Sequence, residues 1–193
     1  MKVCIVAEGC YPYVVGGVSG WINSMIKSFP NIEFILLTIV GKRYVRGKFV
    51  YELPENMTHV YELYLEDREW EEAERQRKVP KRFHLSKKER TELTNLVMNR
   101  KIEWGVIFDL FQRKGVSVDN LLMGPDFFQI VRECYKRQYA NIVFSDFLWT
   151  MRSIYLPLFW TLKMKVPQAD LYHCVATGYA GVLGSMAKHF HNS

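Results

Sequence analysis

Residues 1–40 read MKVCIVAEGCYPYVVGGVSGWINSMIKSFPNIEFILLTIV, and their pattern decides the fold. Lys2 to Ala7 is a short β-branched apolar run that predicts a buried strand, and a loop of Gly, Pro and Tyr carries it to Gly16-Gly17. Val18, Trp21, Ile22, Met25, Ile26 and Phe29 then recur at helical spacing, one continuous apolar face that Pro30 closes. Ile32 to Val40 is apolar again, a second strand. Strand, glycine loop, amphipathic helix and strand make a βαβ unit, whose right-handed crossover sets the two strands parallel. The fold class expected is therefore α/β, a Rossmann-like parallel sheet with flanking helices.

The rest of the chain extends this unit and interrupts it. Lys48 to Leu53 and His59 to Leu65 are two further strand candidates. From Glu66 to about 165 the pattern is helical, an insertion into the sheet domain. Ser86 with Glu89 three residues on forms a capping box, Lys114-Gly115 marks a stop, and Asp126 with Gln129 marks another start after Gly124-Pro125. A third helix runs from Ser145, with Phe147, Ile154, Tyr155 and Phe159 among its inward residues and Pro157 as a kink. Trp104, Trp149 and Trp160 fall at core positions of these helices. Asp170 to Ala176 returns to strand, and Tyr179 to Phe190 repeats the spacing of the first helix after a bend at Thr177-Gly178.

Composition narrows the function classes. With 193 residues, 49% of them hydrophobic and 15% aromatic, the chain can bury one good core rather than two. The net charge of +6 suits an anionic ligand. The acidic cluster Glu66, Asp67, Glu69, Glu71, Glu72 and Glu74 gives way to the basic run Arg75, Arg77, Lys78, Lys81, Arg82, Lys87 and Lys88, the pattern of a solvated helical insertion whose charges partly neutralise each other. That run has no interleaved aromatics beyond Phe83, which argues against a nucleic-acid surface. Cys4, Cys10, Cys134 and Cys174 lie far apart with no Cys-x-x-Cys pair, as in a reduced cytoplasmic protein. No His, Cys or carboxylate cluster has metal-ligand spacing, so no metal is expected. Ile142 to Leu162 is interrupted by Asp146, Arg152 and Pro157, which makes it a poor membrane span.

In an open parallel sheet, ligands bind beyond the carboxyl ends of the strands, so the loops after Ala7 and after Ala176 should share one rim. Gly16 and Gly17 let backbone approach a ligand, and the helix behind them offers unpaired N–H groups to a diphosphate or a sugar hydroxyl. Making the turn is an equally open reason for two glycines. The spacing is not G-x-G-x-x-G, and no acid ends the second strand, so a dinucleotide is not indicated. The second loop contributes His173, Thr177, Gly178 and Tyr179.

Two stretches carry a family resemblance. Ala7-Glu8-Gly9-Cys10-Tyr11-Pro12-Tyr13-Val14-Val15-Gly16-Gly17-Val18-Ser19-Gly20-Trp21 resembles the opening motif of the PelF-type glycosyltransferases of glycosyltransferase family 4. Ala169-Asp170-Leu171-Tyr172-His173-Cys174-Val175-Ala176-Thr177-Gly178-Tyr179-Ala180-Gly181 resembles the strand and helix start on that family's acceptor side. The resemblance implies the N-terminal half of a GT-B fold, residues 1–193 as one acceptor-side domain with its insertion at about 66–165. The implied activity is retaining transfer of glucose from UDP-glucose in Pel exopolysaccharide synthesis, in the cytoplasm at the inner face of the membrane beneath a membrane-embedded synthase complex. UDP-glucose would be a substrate and no cofactor is implied. Gly16 and Gly17 would face the donor's sugar and phosphates. Glu8, Tyr11, Tyr13, His173, Thr177 and Tyr179 would line the acceptor side beside Gly178, with His173 the catalytic candidate. The uridine pocket and the Glu-x7-Glu motif belong to the family's C-terminal donor-binding domain, expected to be missing here, so the chain would be inactive alone. The Glu-x7-Glu spacing of Glu66 and Glu74 falls inside the acidic cluster and is read as chance. The competing reading is a non-enzymatic domain that docks a membrane complex through the charged 66–100 insertion.

Overall fold

The computed structural model describes residues 1–41, 45–65 and 84–192. The acidic cluster from Glu66 to Glu74 and the basic run from Arg75 to Arg82, with Phe83, lie outside the described residues, and so does the Glu66/Glu74 spacing. The chain divides into two compact units, residues 1–67 with 164–193, and residues 68–163.

The first unit is built on four parallel strands, β1 (Lys2–Glu8), β2 (Glu33–Val40), β3 (Met57–Tyr64) and β4 (Leu171–Cys174), in the order β3-β2-β1-β4. This is an α/β Rossmann-like sheet. β1 and β2 are central and nearly fully buried, which their unbroken apolar runs require of strands covered on both faces. Lys2 pairs with Glu33 in register, and their side chains meet at 3.1 Å. The helix α1 (Gly17–Ser28) covers one face, where Ile22 and Ile26 pack with Val3, Ile5, Ala7, Phe34, Leu36 and Met57. At the far end of α1, the Asn56 amide donates to the carbonyls of Ile26, Phe29 and Ile32 at 3.0, 3.0 and 3.2 Å, closing the helix and holding the turn into β2.

A second helix of this unit, α7 (Tyr179–His191), meets β1 and β4 through the other face. Tyr172 stacks on His191 at 6.3 Å, and a Cβ built on Gly184 would collide with the Cys174 sulfur, so glycine here lets the helix settle onto β4. Burial, aided by the neighbouring Cys174, pushes the Cys4 thiol up to about 12. It packs there as a small hydrophobe.

Two readings of this unit need correction. Lys48 to Leu53 is not a strand. Its aromatics pack instead on the loop after β1, Tyr51 against Tyr11 at 5.2 Å and Phe49 against Tyr13 at 5.4 Å, and the Val50 N–H donates to the Pro12 carbonyl. The apolar face of α1 is also narrower than its periodicity indicated. Ser19, Ile22 and Ile26 are buried, whereas Val18, Trp21 and Phe29 are about half exposed.

Within the second unit, the described residues form helices α2 (Lys87–Val97), α3 (Trp104–Gln112), α4 (Val118–Leu122), α5 (Pro125–Cys134) and α6 (Phe144–Lys163), with a π-helical turn at Tyr135–Tyr139. An aromatic core holds them, with Phe159 at 5.0 Å from Phe111 and 5.9 Å from Phe127. The capping box is present as read: Glu89 N–H donates to Ser86 Oγ, and Ser86 N–H donates to the Glu89 carboxylate. At α5, however, Gly124 is the cap and Pro125 the first helical residue, and Asp126 accepts from Arg90 at 3.0 Å instead. Trp160 is buried, but Trp149 is 63% exposed with Arg152 over its ring at 5.2 Å. Two residues beyond buried Phe147, Trp149 points to the opposite side of α6. Ile154, two turns after Phe147, is exposed as well, so the cover over that side of α6 does not run its full length. Pro157 lies inside α6. No helix among the described residues is long and apolar enough to cross a membrane.

The capping box makes one pH prediction. Burial would raise the Glu89 pKa, but hydrogen bonds from Lys114 and Ser86 outweigh it and the carboxyl sits below its usual value. Such a group contributes stability in full above its unfolded pKa and loses it as pH falls through the lower folded one. Glu89→Gln should therefore cost about 1 kcal/mol near neutral pH. In thermal melts, the gap between variant and parent should close as pH is lowered below about 4. A gap that stays constant into strong acid would show that the carboxylate charge is not what matters.

Candidate functional site

Because β1 and β4 are parallel neighbours, with Ile5 beside His173 and Val6 beside Cys174, their carboxyl ends open onto one rim. The loop after β1 returns through Gly16 into α1, and the bend after β4 leads through Gly178 into α7. A pocket of about 400 Å³ lies between them, lined by Gly17, Val18, Trp21, His173, Cys174 and Val175. The alternation of β4 turns His173 to the face that carries α1, where its ring meets the Trp21 indole at 5.5 Å.

The two helix starts on this rim differ in electrostatics. At α7 the position is filled: the Glu8 carboxylate accepts from the Ala180 N–H at 3.1 Å. A Cβ on Gly178 would lie 2.9 Å from Glu8 Oε2, so glycine admits this carboxylate. Burial, then the Glu8 charge, raises the Tyr179 phenol. At α1 there is no side-chain cap and no acidic residue in the first turn, so the positive end of the helix faces the pocket uncompensated.

Gly16 and Gly17 stand at this uncapped start. Gly16 has φ 177°, an extended conformation any residue adopts, and neither glycine lies in the left-handed region that favours glycine. A Cβ at either position would meet nothing within 4 Å. The turn itself does not require glycine at these positions, and the space over both is open.

The site residues read from sequence separate into three groups. Gly17 and His173 line the pocket, with Gly16 immediately before it. Glu8, Gly178 and Tyr179 form a contact at the start of α7. Tyr11 is fully buried, its hydroxyl 3.4 Å from Asn23 Oδ1 and its carbonyl accepting from Thr38 Oγ1 at 3.1 Å. Tyr13 is partly buried against Phe49, and Thr177 is exposed. Sequence reasoning missed Trp21 by assigning it to the buried face of α1; its position one turn after Gly17 was the available signal. Among the described residues, no three or more His, Cys, Asp or Glu side chains are grouped to hold a metal ion.

Comparison with curated proteins and with solved structures found no match. A family model described as a domain of unknown function, DUF3492, matches residues 1–193, and the chain belongs to that family.

Proposed function

We propose that this chain is the acceptor-side half of a retaining, GT-B-type glycosyltransferase that takes a UDP-sugar, UDP-glucose by resemblance, for synthesis of an exopolysaccharide of the Pel kind. The observation that carries the reading is the uncapped, glycine-flanked start of α1, open above both glycines and facing a pocket of about 400 Å³ beside Trp21 and His173. The two quoted motifs support it, and DUF3492 domains are associated with the N-terminal regions of family 4 glycosyltransferases.

In this reading the α1 N–H groups stabilise negative charge on the donor's phosphates, which grows as the bond to the sugar breaks, so their effect is larger in the transition state than in the ground state. Gly16 and Gly17 keep side chains out of that approach. Trp21 and His173 hold the sugar side of the pocket. Clamping the diphosphate from the opposite side and binding the uridine fall to a separate donor-binding domain, and the acceptor-side chain alone does not turn over.

Calorimetric titration with UDP-glucose tests the division of labour. The 193-residue chain alone should give no saturable heat, and the same chain with a donor-binding domain supplied in cis or in trans should bind. Tight binding by the chain alone, or no binding by the completed enzyme, sinks the proposal.

A further inference from the structure

Outside the rim pocket, the second unit carries an exposed apolar surface of its own. At the end of α5, the π-helical turn Tyr135–Tyr139 and the short link to α6 form a hairpin tip. Ile142 and Val143 sit side by side on it, 43% and 63% exposed, with Tyr139 and Phe128 also open to solvent. The tip is braced from behind. Tyr135 donates its hydroxyl hydrogen to the Ile142 carbonyl at 2.7 Å, and Phe144 packs on Tyr135 at 5.0 Å and on Phe128 at 5.8 Å. Two adjacent β-branched residues are thus held outward by a stiff aromatic base rather than folded back into it.

Cations outnumber carboxylates beside this tip. Arg132, Lys136 and Arg137 are exposed, and among the described residues none forms an ion pair. Of the two nearby carboxylates, Glu133 is turned toward Arg90 at 4.0 Å and Asp146, in the first turn of α6, accepts from Ser145 Oγ at 3.3 Å, which leaves the three cations in excess. An apolar tip beside unneutralised cations on long aliphatic stems matches the interfacial layer of an anionic bilayer. There the apolar residues enter the acyl boundary and the cations stay with the headgroups. We infer that the hairpin tip at Tyr139–Val143, with Arg132, Lys136 and Arg137, is a peripheral docking site for an anionic lipid surface. Charge complementarity selects this occupant over a second copy of the chain, which would bring three more cations against the same tip. The inference stands on the second unit alone and is independent of the glycosyltransferase reading.

The test is co-sedimentation of the 193-residue chain with vesicles of phosphatidylcholine alone and of phosphatidylcholine mixed with phosphatidylglycerol. Binding is expected to the mixed vesicles only, and to weaken with added salt. Lys136→Gln with Arg137→Gln should lower the vesicle affinity by roughly tenfold or more. Val143→Asp should abolish binding while its circular dichroism and melting temperature match the parent, since the position is exposed. Trp149→Ala, on exposed surface elsewhere on α6, should bind like the parent. The inference is overturned by equal binding to neutral and anionic vesicles, by no binding to either, or by a concentration-dependent dimer that Val143→Asp disperses.

Discussion

Under the proposed glycosyltransferase function, replacing Gly17 by valine in the chain joined to a donor-binding domain should reduce sugar transfer on the order of a hundredfold. The same change should leave the melting temperature of the chain at or slightly above the parent value. The two halves of this expectation come from different observations. A Cβ at position 17 meets no protein atom within 4 Å, and φ is not positive, so the fold gains from the side chain whatever backbone freedom glycine would have kept in the unfolded state. That gain is about 0.4–1 kcal/mol for replacing glycine at a compatible site. The cost falls on a ligand that needs the helix N–H groups within hydrogen-bonding distance, because a branched side chain stands in its path. Paired thermal melts and transfer assays read both quantities on one protein. A variant that is stable and fully active would leave the glycine pair without a ligand-binding purpose.

The second large effect is on stability. Tyr11→Ala should cost about 3–5 kcal/mol, the range for deleting a large aromatic from a packed interior. Against a total stability of about 5–15 kcal/mol, that is enough to unfold a marginal domain. Tyr11 has no exposed surface, sits in the cluster of Ile22, Ile26 and Leu36, and supports Tyr51. Tyr11→Phe separates packing from polarity: its hydroxyl makes one long contact of 3.4 Å, so at neutral pH the loss should stay below about 1 kcal/mol. The phenol has its pKa pushed up to about 12 by burial and by Tyr51. A neutral form favoured by the fold contributes stability that is complete below the ordinary value near 10 and is lost as pH rises toward the folded one. Tyr11→Phe should accordingly flatten the alkaline limb of the stability profile, as followed by chemical denaturation at stepped pH. Normal melting of Tyr11→Ala would remove Tyr11 from the core.

Much of the sheet was legible because its cause is local. β1 and β2 are apolar runs too continuous to be anything but strands buried on both faces, and Gly-Gly before a helical repeat places the turn. The capping box at Ser86 and Glu89 is a short-range hydrogen-bond pattern, and it forms as read. What the pattern could not supply was the extent of cover. Periodicity locates the centre of the α1 stripe at Ile22 and Ile26 but not its edges, and the edge is where Trp21 leaves the core and enters the pocket. Tyr11 is the opposite case: the resemblance implies an acceptor-side role for it, and the Lys48–Leu53 segment folds over its loop so that the ring is buried. Segments distant in sequence decide both outcomes. Trp149 shows the same limit in the second unit, two positions from a buried phenylalanine and facing outward.

The order in which the strands line up also bears on how the chain is made. β1 is synthesised before the other three strands and β4 after them, yet they are hydrogen-bonded neighbours, with Val3 beside Leu171. Until residue 174 has emerged, one flank of β1 is an unsatisfied row of amides and carbonyls bordered by Cys4, Val6 and other apolar side chains. At roughly 5–20 residues per second, the 160-odd residues between them keep that flank open for about ten seconds or longer during synthesis. An open hydrophobic flank of this sort is a template for pairing with other nascent chains. For this sheet the vulnerable stage is therefore translation, before β4 and the helix behind it can close over the seam.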